Sequence, residues 1–248
     1  MNTHPDRRER SRFSPRRVAL LLVALLGAVS AEAQTVRLVV PLDRPIEAPR
    51  LGTRAALEAG AVVLTGLGHL AASEAGVSGP YIPVVIAGWG GYVGYRAATE
   101  PGYLADLGFT GETLGRAARD VGLLSAGAAL GMGVYGAANG SLRLDASMLP
   151  LLVLYPAWGL TQQMLVQGFL TRPLAEAGLP TLAVAPISAA AFGAVHVPNW
   201  ELTAATTVMG GAFAPLYLRD GNLWPLGVAH GGLGALFYVW VLDRDPWA

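Results

Sequence analysis

Residues 223–242 read Leu-Trp-Pro-Leu-Gly-Val-Ala-His-Gly-Gly-Leu-Gly-Ala-Leu-Phe-Tyr-Val-Trp-Val-Leu. The stretch contains one histidine, His230, and no Asp, Glu, Lys or Arg. Its length is close to the roughly 20 residues that an α-helix needs to cross the hydrocarbon core of a bilayer. The stretch therefore predicts a membrane-spanning helix that carries a single histidine and no acidic or basic side chain besides it.

Further apolar segments of near-spanning length precede this one, at 55–72, 81–98, 121–138, 148–170, 179–197 and 203–218. Gly and Pro are frequent in them, which is ordinary for transmembrane helices. Small residues four apart let helix backbones approach closely, and such pairs occur at Gly90/Gly94, Gly127/Gly131 and Gly136/Gly140. The predicted fold class is all-α: a polytopic transmembrane helical bundle of about 6–7 spans after an N-terminal signal segment.

The composition supports a membrane protein and excludes several other classes. Hydrophobic residues make up 53% of the 248 residues, charged residues make up 14%, and the mean hydropathy is +0.44. Soluble domains carry about 25% charged residues. Zero net charge and high apolar content exclude a disordered chain, a collagen-like fibre and a nucleic-acid binder. The absence of Cys excludes disulfides and thiolate metal sites.

The N-terminus has the composition of an export signal. Six arginines precede Val18, and an apolar run of twelve residues follows at 18–29. The run is short for a span but suits a signal peptide, and Ala31-Glu32-Ala33 matches the small-x-small pattern of a cleavage site. We predict a signal peptide at 1–33 that is cut after Ala33, with an uncleaved signal anchor as the alternative. A polar, Pro-rich segment at 34–53 and a membrane domain at 54–248 follow.

The arginine positions leave the membrane topology open. If the signal is exported and all seven segments span, five arginines face outward, against the tendency of Arg and Lys to lie in cytoplasmic loops. These are Arg96, Arg116, Arg119, Arg172 and Arg219. A re-entrant or interfacial path for 81–98 would place them inside. These arginines would also lie inside if the apolar run at 18–29 does not determine the orientation of the bundle.

Polar side chains inside apolar segments are costly, so they are functional candidates. They form three clusters in the last hundred residues, at 161–170, 192–199 and 222–234. On a helix, Gln163 and Gln167 share a face, and Phe192 lies one turn before His196. A hydrogen bond between helices explains each of these side chains taken alone. Three clusters on successive helices predict a shared polar cavity.

The first apolar segment of the membrane domain carries two ionisable residues, Glu58 and His69. They are eleven residues apart, so on a helix they share a face but lie about 16 Å apart along it and cannot act together. We predict that each of them snorkels or makes a hydrogen bond to a neighbouring helix.

The three clusters contain an ordered set of short motifs. The first reads Gln162-Gln163-x-x-x-Gln167-Gly168-Phe169-Leu170, the second Phe192-x-x-x-His196, and the third His230-x-x-x-Gly234. In this order they resemble the motifs of the CPBP family, which contains CAAX-type prenyl endopeptidases and bacteriocin-processing or self-immunity proteins. The resemblance covers a core at about 104–242. The family's own first motif has two glutamates and an arginine where this chain has three glutamines.

The resemblance implies an intramembrane endopeptidase whose polar pocket is built by the last four spans. In the family, a glutamate of the first motif activates water for attack on a peptide bond. The histidines orient that water and stabilise the oxyanion or, on an older view, help to bind a metal. An amide keeps the shape of a carboxylate but cannot act as a base. The joint loss of both acids and of the cation indicates a neutralised site.

We predict that Gln162, Gln163, His196 and His230 form the centre of the site. The predicted second layer and pocket walls are Gln167, Phe192, Asn199 and Gly234. We expect no metal and no other cofactor, because two histidines with amides make a poor Zn²⁺ site. The expected partners are a membrane-inserted peptide or protein substrate and the lipid bilayer, without nucleic acid. The expected location is a bacterial inner (cell) membrane.

Three functional hypotheses remain. The first is an active intramembrane endopeptidase in which the two histidines perform the chemistry and the glutamines position water or substrate. The second is a catalytically inactive pseudoprotease that binds a membrane peptide or partner. The third is an unrelated transporter or lipid-handling bundle, which predicts that the Gln and His clusters face different places.

Overall fold

The computed structural model describes residues 51–144, 146 and 148–244, and the regular elements in these ranges are all helical. In chain order they are α1 (Thr53–Glu74), α2 (Ser78–Thr99), α3 (Tyr103–Leu107), α4 (Leu114–Asn139), α5 (Met148–Gln163), the π-helix π1 (Met164–Thr171), α6 (Arg172–Glu176), α7 (Thr181–Ala194), α8 (Trp200–Asp220), α9 (Trp224–Leu236) and the π-helix π2 (Phe237–Val241). The all-α prediction is confirmed. The predicted signal at 1–33 and nearly all of the segment at 34–53 lie outside the described residues.

Two of the described helices, α1 and α4, are long and apolar enough to cross a membrane. The predicted number of 6–7 spans is therefore supported for these two helices only. The remaining apolar segments are helical but do not reach the same combination of length and hydropathy. For example, α5, π1 and α6 follow one another without a break from residue 148 to residue 176, but α5 itself has only 16 residues.

Helices α5 and α9 pack closely against each other, and glycines make this approach geometrically feasible. A Cβ atom on Gly159 would lie 2.6 Å from the backbone oxygen of Gly227 and 2.6 Å from the backbone nitrogen of Gly231. At Gly231 a Cβ atom would fall on the backbone of Pro156. Because the backbones touch here, the side chains at the ends of the contact are brought together.

Helices α1 and α2 form an antiparallel pair that packs beside this core. Tyr81 at the start of α2 donates to the carbonyl of Thr65 at 2.8 Å, and Arg96 near its end lies 2.6 Å from the Glu58 carboxylate. Residues 78–99, for which a re-entrant path was one alternative, thus form one unbroken helix alongside α1. Glu58 makes the predicted inter-helix contact, as one partner of an ion pair.

The arginines that raised the topology question lie at one end of the bundle. Arg219 bridges Asp120 and Asp220 at 2.6 Å each, so the start of α4 is tied to the end of α8. Arg172 donates to the carbonyl of Asp106 beside α3. Members of this end are Arg54, Arg96, Arg116, Arg119, Arg172 and Arg219. The opposite end carries Arg143, paired with Asp243 at 3.6 Å.

Candidate functional site

Gln163 and His230 meet at the end of the α5–α9 contact. Gln163 is fully buried, and its Nε2 lies 3.1 Å from Nδ1 of His230. An amide NH₂ group can only donate, so Nδ1 of His230 acts as the acceptor and its proton is on Nε2. The first and third motifs are therefore in direct contact through a hydrogen bond.

Gln167 extends this contact into a short chain of amides. Its Nε2 donates to Oε1 of Gln163 at 3.1 Å, and its side chain is also fully buried. It lies in π1, where Thr171 bonds the carbonyl of Val166 and the hydroxyl of Ser188 on α7. A π-helical turn inside a longer helix is frequent at functional sites. Here it places Gln167 behind Gln163, away from the cavity described below.

His196 is held at the end of α7 by two neighbours. Its Nδ1 lies 3.0 Å from the carbonyl of Phe192 and 3.2 Å from the hydroxyl of Thr206. The Thr206 hydroxyl gives its own proton to the carbonyl of Leu202 at 2.7 Å. It therefore accepts from His196, so the imidazole proton sits on Nδ1 and Nε2 is left as an acceptor.

The ring of Phe192 contacts both imidazoles. Its centroid lies 5.5 Å from that of His196 and 5.3 Å from that of His230, edge-to-face in both cases. Phe192 is almost completely buried. The neutral forms of the two histidines carry complementary groups: an acceptor Nε2 on His196 and a donor Nε2 on His230.

Both histidines line one cavity of about 310 Å³, which we call the histidine cavity. Gln162 and Gly234 contribute to its wall, whereas Gln163 contributes only through its bond to His230. A side pocket of about 110 Å³ shares Gln162 and His196 with it and includes Phe192. Gln162, His196 and His230 thus converge, and Gln163 is attached to the same group.

Asn199 and His69 occupy different places from those predicted for them. Asn199, predicted as a pocket wall, is the N-cap of α8 and accepts from the backbone nitrogen of Leu202 at 3.1 Å. His69, predicted to snorkel or to bond a neighbouring helix, makes no hydrogen bond within the described residues. Its ring stacks on Tyr81 at 6.3 Å and lines both the histidine cavity and its side pocket.

Sequence reasoning also missed Thr206, which orients His196. The sequence does contain an indication of Thr206, because the polar run Thr203-Ala-Ala-Thr206-Thr207 follows His196 within an apolar region. His69 is indicated in the sequence by its position inside an apolar segment, but nothing in the sequence shows that this segment packs near α7. Only the packing of α1 and α2 over the site brings His69 to the cavity.

The walls of the histidine cavity and its side pocket carry no Asp, Glu or Arg among the described residues. Their ionisable groups are His69, His196, His230 and the tyrosines 81, 155 and 238. Within the part of the chain that the structure describes, no three His, Cys, Asp or Glu side chains are placed to hold a metal ion. The donor set therefore does not fit a bound metal.

The order and convergence of these motifs agree with a comparison with protein families. Residues 144–236 match the family model described as Type II CAAX prenyl endopeptidase Rce1-like. These residues form a CPBP-family domain. The CPBP domain runs from just before α5 to the last residue of α9, so it contains Gln162, Gln163, His196, His230 and Gly234.

The matched range of the CPBP domain is shorter than the predicted core at 104–242. Helices α1 to α4 lie outside it, including the segment that brings His69 to the cavity. No curated protein and no solved structure matches this chain. The matched range therefore contains the motif residues of the site, and the part of the cavity wall that α1, α2 and α4 supply lies outside it.

Proposed function

We propose that this chain is a non-hydrolytic CPBP-type membrane protein that holds a segment of a membrane peptide in the histidine cavity. The observation that carries the proposal is the neutral character of the site. The positions of the two family glutamates and the arginine are glutamines, and two of these glutamines are fully buried and bonded to each other.

A peptide is the ligand that suits such a neutral cavity. Inside a membrane, every backbone N–H and C=O that leaves regular structure needs a partner. Gln162, His196 and His230 offer donors and acceptors on a wall whose other polar side chains are His69, Tyr155, Thr206 and Tyr238. These groups can pair with an unwound stretch of peptide backbone without the cost of burying a charge.

Hydrolysis of a peptide bond needs a base for water and donors for the oxyanion. The imidazole N–H of His230 is a donor at the cavity, and the backbone of Gly159 also bonds this ring. No carboxylate lines the cavity within the described residues. Loss of a general base costs about 10²–10⁴-fold in rate, which supports binding without cleavage.

One observation favours the hydrolytic alternative. No hydrogen bond from a described residue reaches Nε2 of His196, and an imidazole with an acceptor nitrogen in that state can take a proton from water. The third hypothesis, an unrelated transporter, predicted that the Gln and His clusters face different places. Their contact through Gln163 and His230 does not support it.

The proposal is tested by binding and cleavage of a transmembrane-peptide library on the purified protein. We expect the protein to retain peptides that keep their full mass. Gln162→Ala and His196→Ala should each weaken retention about 3- to 30-fold, the value of one hydrogen bond of about 0.6–2 kcal/mol in a membrane protein. Mass spectrometry of the retained peptides gives both results.

Thr161→Ala is the matched control. Thr161 is the neighbour of Gln162 in sequence, but its hydroxyl bonds the carbonyl of Ala157 in its own helix at 3.1 Å. Its removal should leave retention unchanged. Shortened peptides made by the unaltered protein and lost in His196→Ala would contradict the proposal and support the hydrolytic alternative.

We also propose that the bundle is multi-pass in a bacterial inner (cell) membrane, with its arginine-rich end toward the cytoplasm. Cytoplasmic loops carry an excess of Arg and Lys, and six of the described arginines lie at this end. This orientation places the start of α1 on the cytoplasmic side. It therefore favours the alternative in which the first hydrophobic run does not set the orientation.

The chain has no cysteine, so single cysteines give an unambiguous test of orientation. Glu112→Cys lies at the arginine-rich end, and Leu144→Cys lies at the opposite end in a position that is 79% exposed. A membrane-impermeant maleimide added to intact spheroplasts should label position 144 and spare position 112. The reverse pattern would contradict the proposed orientation.

A further inference from the structure

A polar hollow that is separate from the histidine cavity lies at the arginine-rich end. This hollow, which we call the arginine vestibule, has a volume of about 520 Å³. It lies between the start of α1, the end of α2, α3 and α6. Its charged lining residues are Arg54, Glu58, Arg96, Glu100, Asp106, Arg172 and Glu176.

Arg96 is the fixed centre of the vestibule. It is buried, with its guanidinium 2.6 Å from Glu58 and 2.5 and 2.7 Å from the two oxygens of Glu100. The hydrogen bonds from Arg96 lower the pKa of Glu100, so this carboxyl group is ionised at neutral pH. Arg96 also covers the ring of Tyr103 at 4.4 Å. Because Glu58 and Glu100 already neutralise the guanidinium, Arg96 contributes little to binding a ligand.

The outer residues of the vestibule include positively and negatively charged side chains that are only partly paired within the protein. Arg54 is 65% exposed and contacts Glu100 through Nη1 alone. Arg172 bonds Glu176 through Nε, the carbonyl of Asp106 through Nη1 and also the hydroxyl of Tyr217, and its side chain is still 34% exposed. The Asp106 carboxylate has no ion pair within the described residues. The hydroxyl of Tyr103, whose side chain lines the vestibule, is buried without a hydrogen-bond partner.

An apolar groove begins where the vestibule ends. This lateral groove, about 510 Å³ in volume, runs between α1 and α2 and shares Arg54 and Glu58 with the vestibule. Its walls include Leu57, Ala61 and Trp89. From residue 54 to residue 65 it follows α1 for about 16 Å at 1.5 Å per residue.

The arginine vestibule and the lateral groove together match one amphiphilic molecule, with a polar headgroup in the vestibule and an apolar tail in the groove. We propose that they form a binding site for a zwitterionic phospholipid with a primary ammonium group, of the phosphatidylethanolamine class. Arg54 and Arg172 would take the phosphate, Asp106 would take the ammonium, and an acyl chain would lie in the lateral groove. The near balance of three guanidinium groups and four carboxylates around the vestibule favours a zwitterionic headgroup over an anionic one.

The groove offers a variant that fills it without disturbing the fold. Gly88 lines the groove, and nothing lies within 4 Å of a Cβ atom built on it, so Gly88→Leu occupies the space of the acyl chain. Leu is also a better helix former than Gly. Gly90→Leu is the matched control, because Gly90 lies on the same helix, has the same open surroundings and is not part of the groove.

The headgroup contacts have their own pair of variants. Arg54→Gln removes an exposed cation that lines both spaces, and we expect about fivefold weaker binding, the upper range for an exposed charge pair. Arg143→Gln is its control, because this arginine is 46% exposed and has a single ion pair at the opposite end of the bundle. The control should bind lipid like the unaltered protein.

Binding is measured on the full-length protein in detergent, by native mass spectrometry and by thermal melting after addition of phosphatidylethanolamine, phosphatidylcholine or phosphatidylglycerol. We expect the ethanolamine lipid to be retained and to raise the Tm most. Both effects should be lost in Gly88→Leu and kept in Gly90→Leu. Equal retention of the anionic lipid, or unchanged retention by Gly88→Leu, would overturn the proposal.

A different occupant gives a different result in the same experiment. If no lipid changes the Tm while Gly88→Leu lowers it, a segment of the chain itself fills the groove, and the lipid proposal is wrong. The result does not depend on peptide retention in the histidine cavity, so the two proposals can fail separately.

Discussion

The variant with Gln162→Glu, Gln163→Glu and Gln167→Arg combined is expected to cleave membrane peptides, because a general base contributes about 10²–10⁴-fold to the rate. The rest of the site is already in position, because His230 lies 3.1 Å from the side chain of residue 163 and His196 lines the same cavity. A carboxylate at position 162 would face the cavity, where it can accept a proton from water.

All three substitutions are needed for reasons of charge. Residue 163 has no exposed surface, so Gln163→Glu alone places a carboxylate in the core without a cation. An uncompensated buried charge costs about 3–5 kcal/mol. Residue 167 donates to residue 163 at 3.1 Å in the present chain, so an arginine at 167 is placed to pair with that carboxylate. We expect the single variant to melt well below the triple variant.

The appearance of shortened peptides in mass spectra measures the gain of activity. Adding His196→Ala to the triple variant is the control, because it removes an imidazole of the cavity and leaves the three new side chains in place. It should return cleavage to the level of the unaltered protein. A triple variant that melts like the unaltered protein and still cleaves nothing would show that the missing charges are not what keeps this site inactive.

Much of the site could be predicted from the sequence, since a buried polar residue in an apolar segment needs a partner wherever it lies. The Gln and His clusters stand out for that reason, and the order of the motifs suggested that they meet. The contact of Gln163 with His230 is the meeting that was predicted. Gln167 was expected next to the centre, and it bonds Gln163 from behind.

The roles that could not be predicted depend on which surfaces of the helices meet. Asn199 looked like a pocket residue because it follows the second motif, yet its side chain satisfies a backbone N–H at the start of α8. His69 was predicted to snorkel or to bond a neighbouring helix, and it lines the cavity instead. Neither assignment follows from spacing, because both depend on the packing of other helices.

The spacing of glycines in the sequence likewise does not show which helix surfaces meet. Gly90 and Gly94 were candidates for close helix contact, but nothing lies within 4 Å of a Cβ atom at either position. Gly136 does pack closely, with the Cβ of Trp240 at 3.2 Å. Pairs of small residues four apart look alike in a sequence. The partner helix decides which of them is a contact, and between α5 and α9 the backbones come together at Gly159 and Gly231.

Gly231→Ala is expected to destabilise the protein by about 3 kcal/mol, the upper range for overpacking of a well-packed core. The added methyl group would fall on backbone atoms of Pro156 and Tyr155, which cannot rotate away as a side chain does. The α5 and α9 helices must therefore separate. Because Gln163 and His230 lie on these two helices, their hydrogen bond should be lost with the packing.

Gly232→Ala, one residue further along α9, separates this packing effect from a general effect of alanine. Nothing lies within 4 Å of a Cβ atom on Gly232, and Ala in a helix is favoured over Gly by up to about 1 kcal/mol. Unfolding of both variants in denaturant should give opposite signs, and peptide retention should fall for Gly231→Ala alone. Equal stability of the two variants would mean that direct backbone contact between α5 and α9 is not what positions the site.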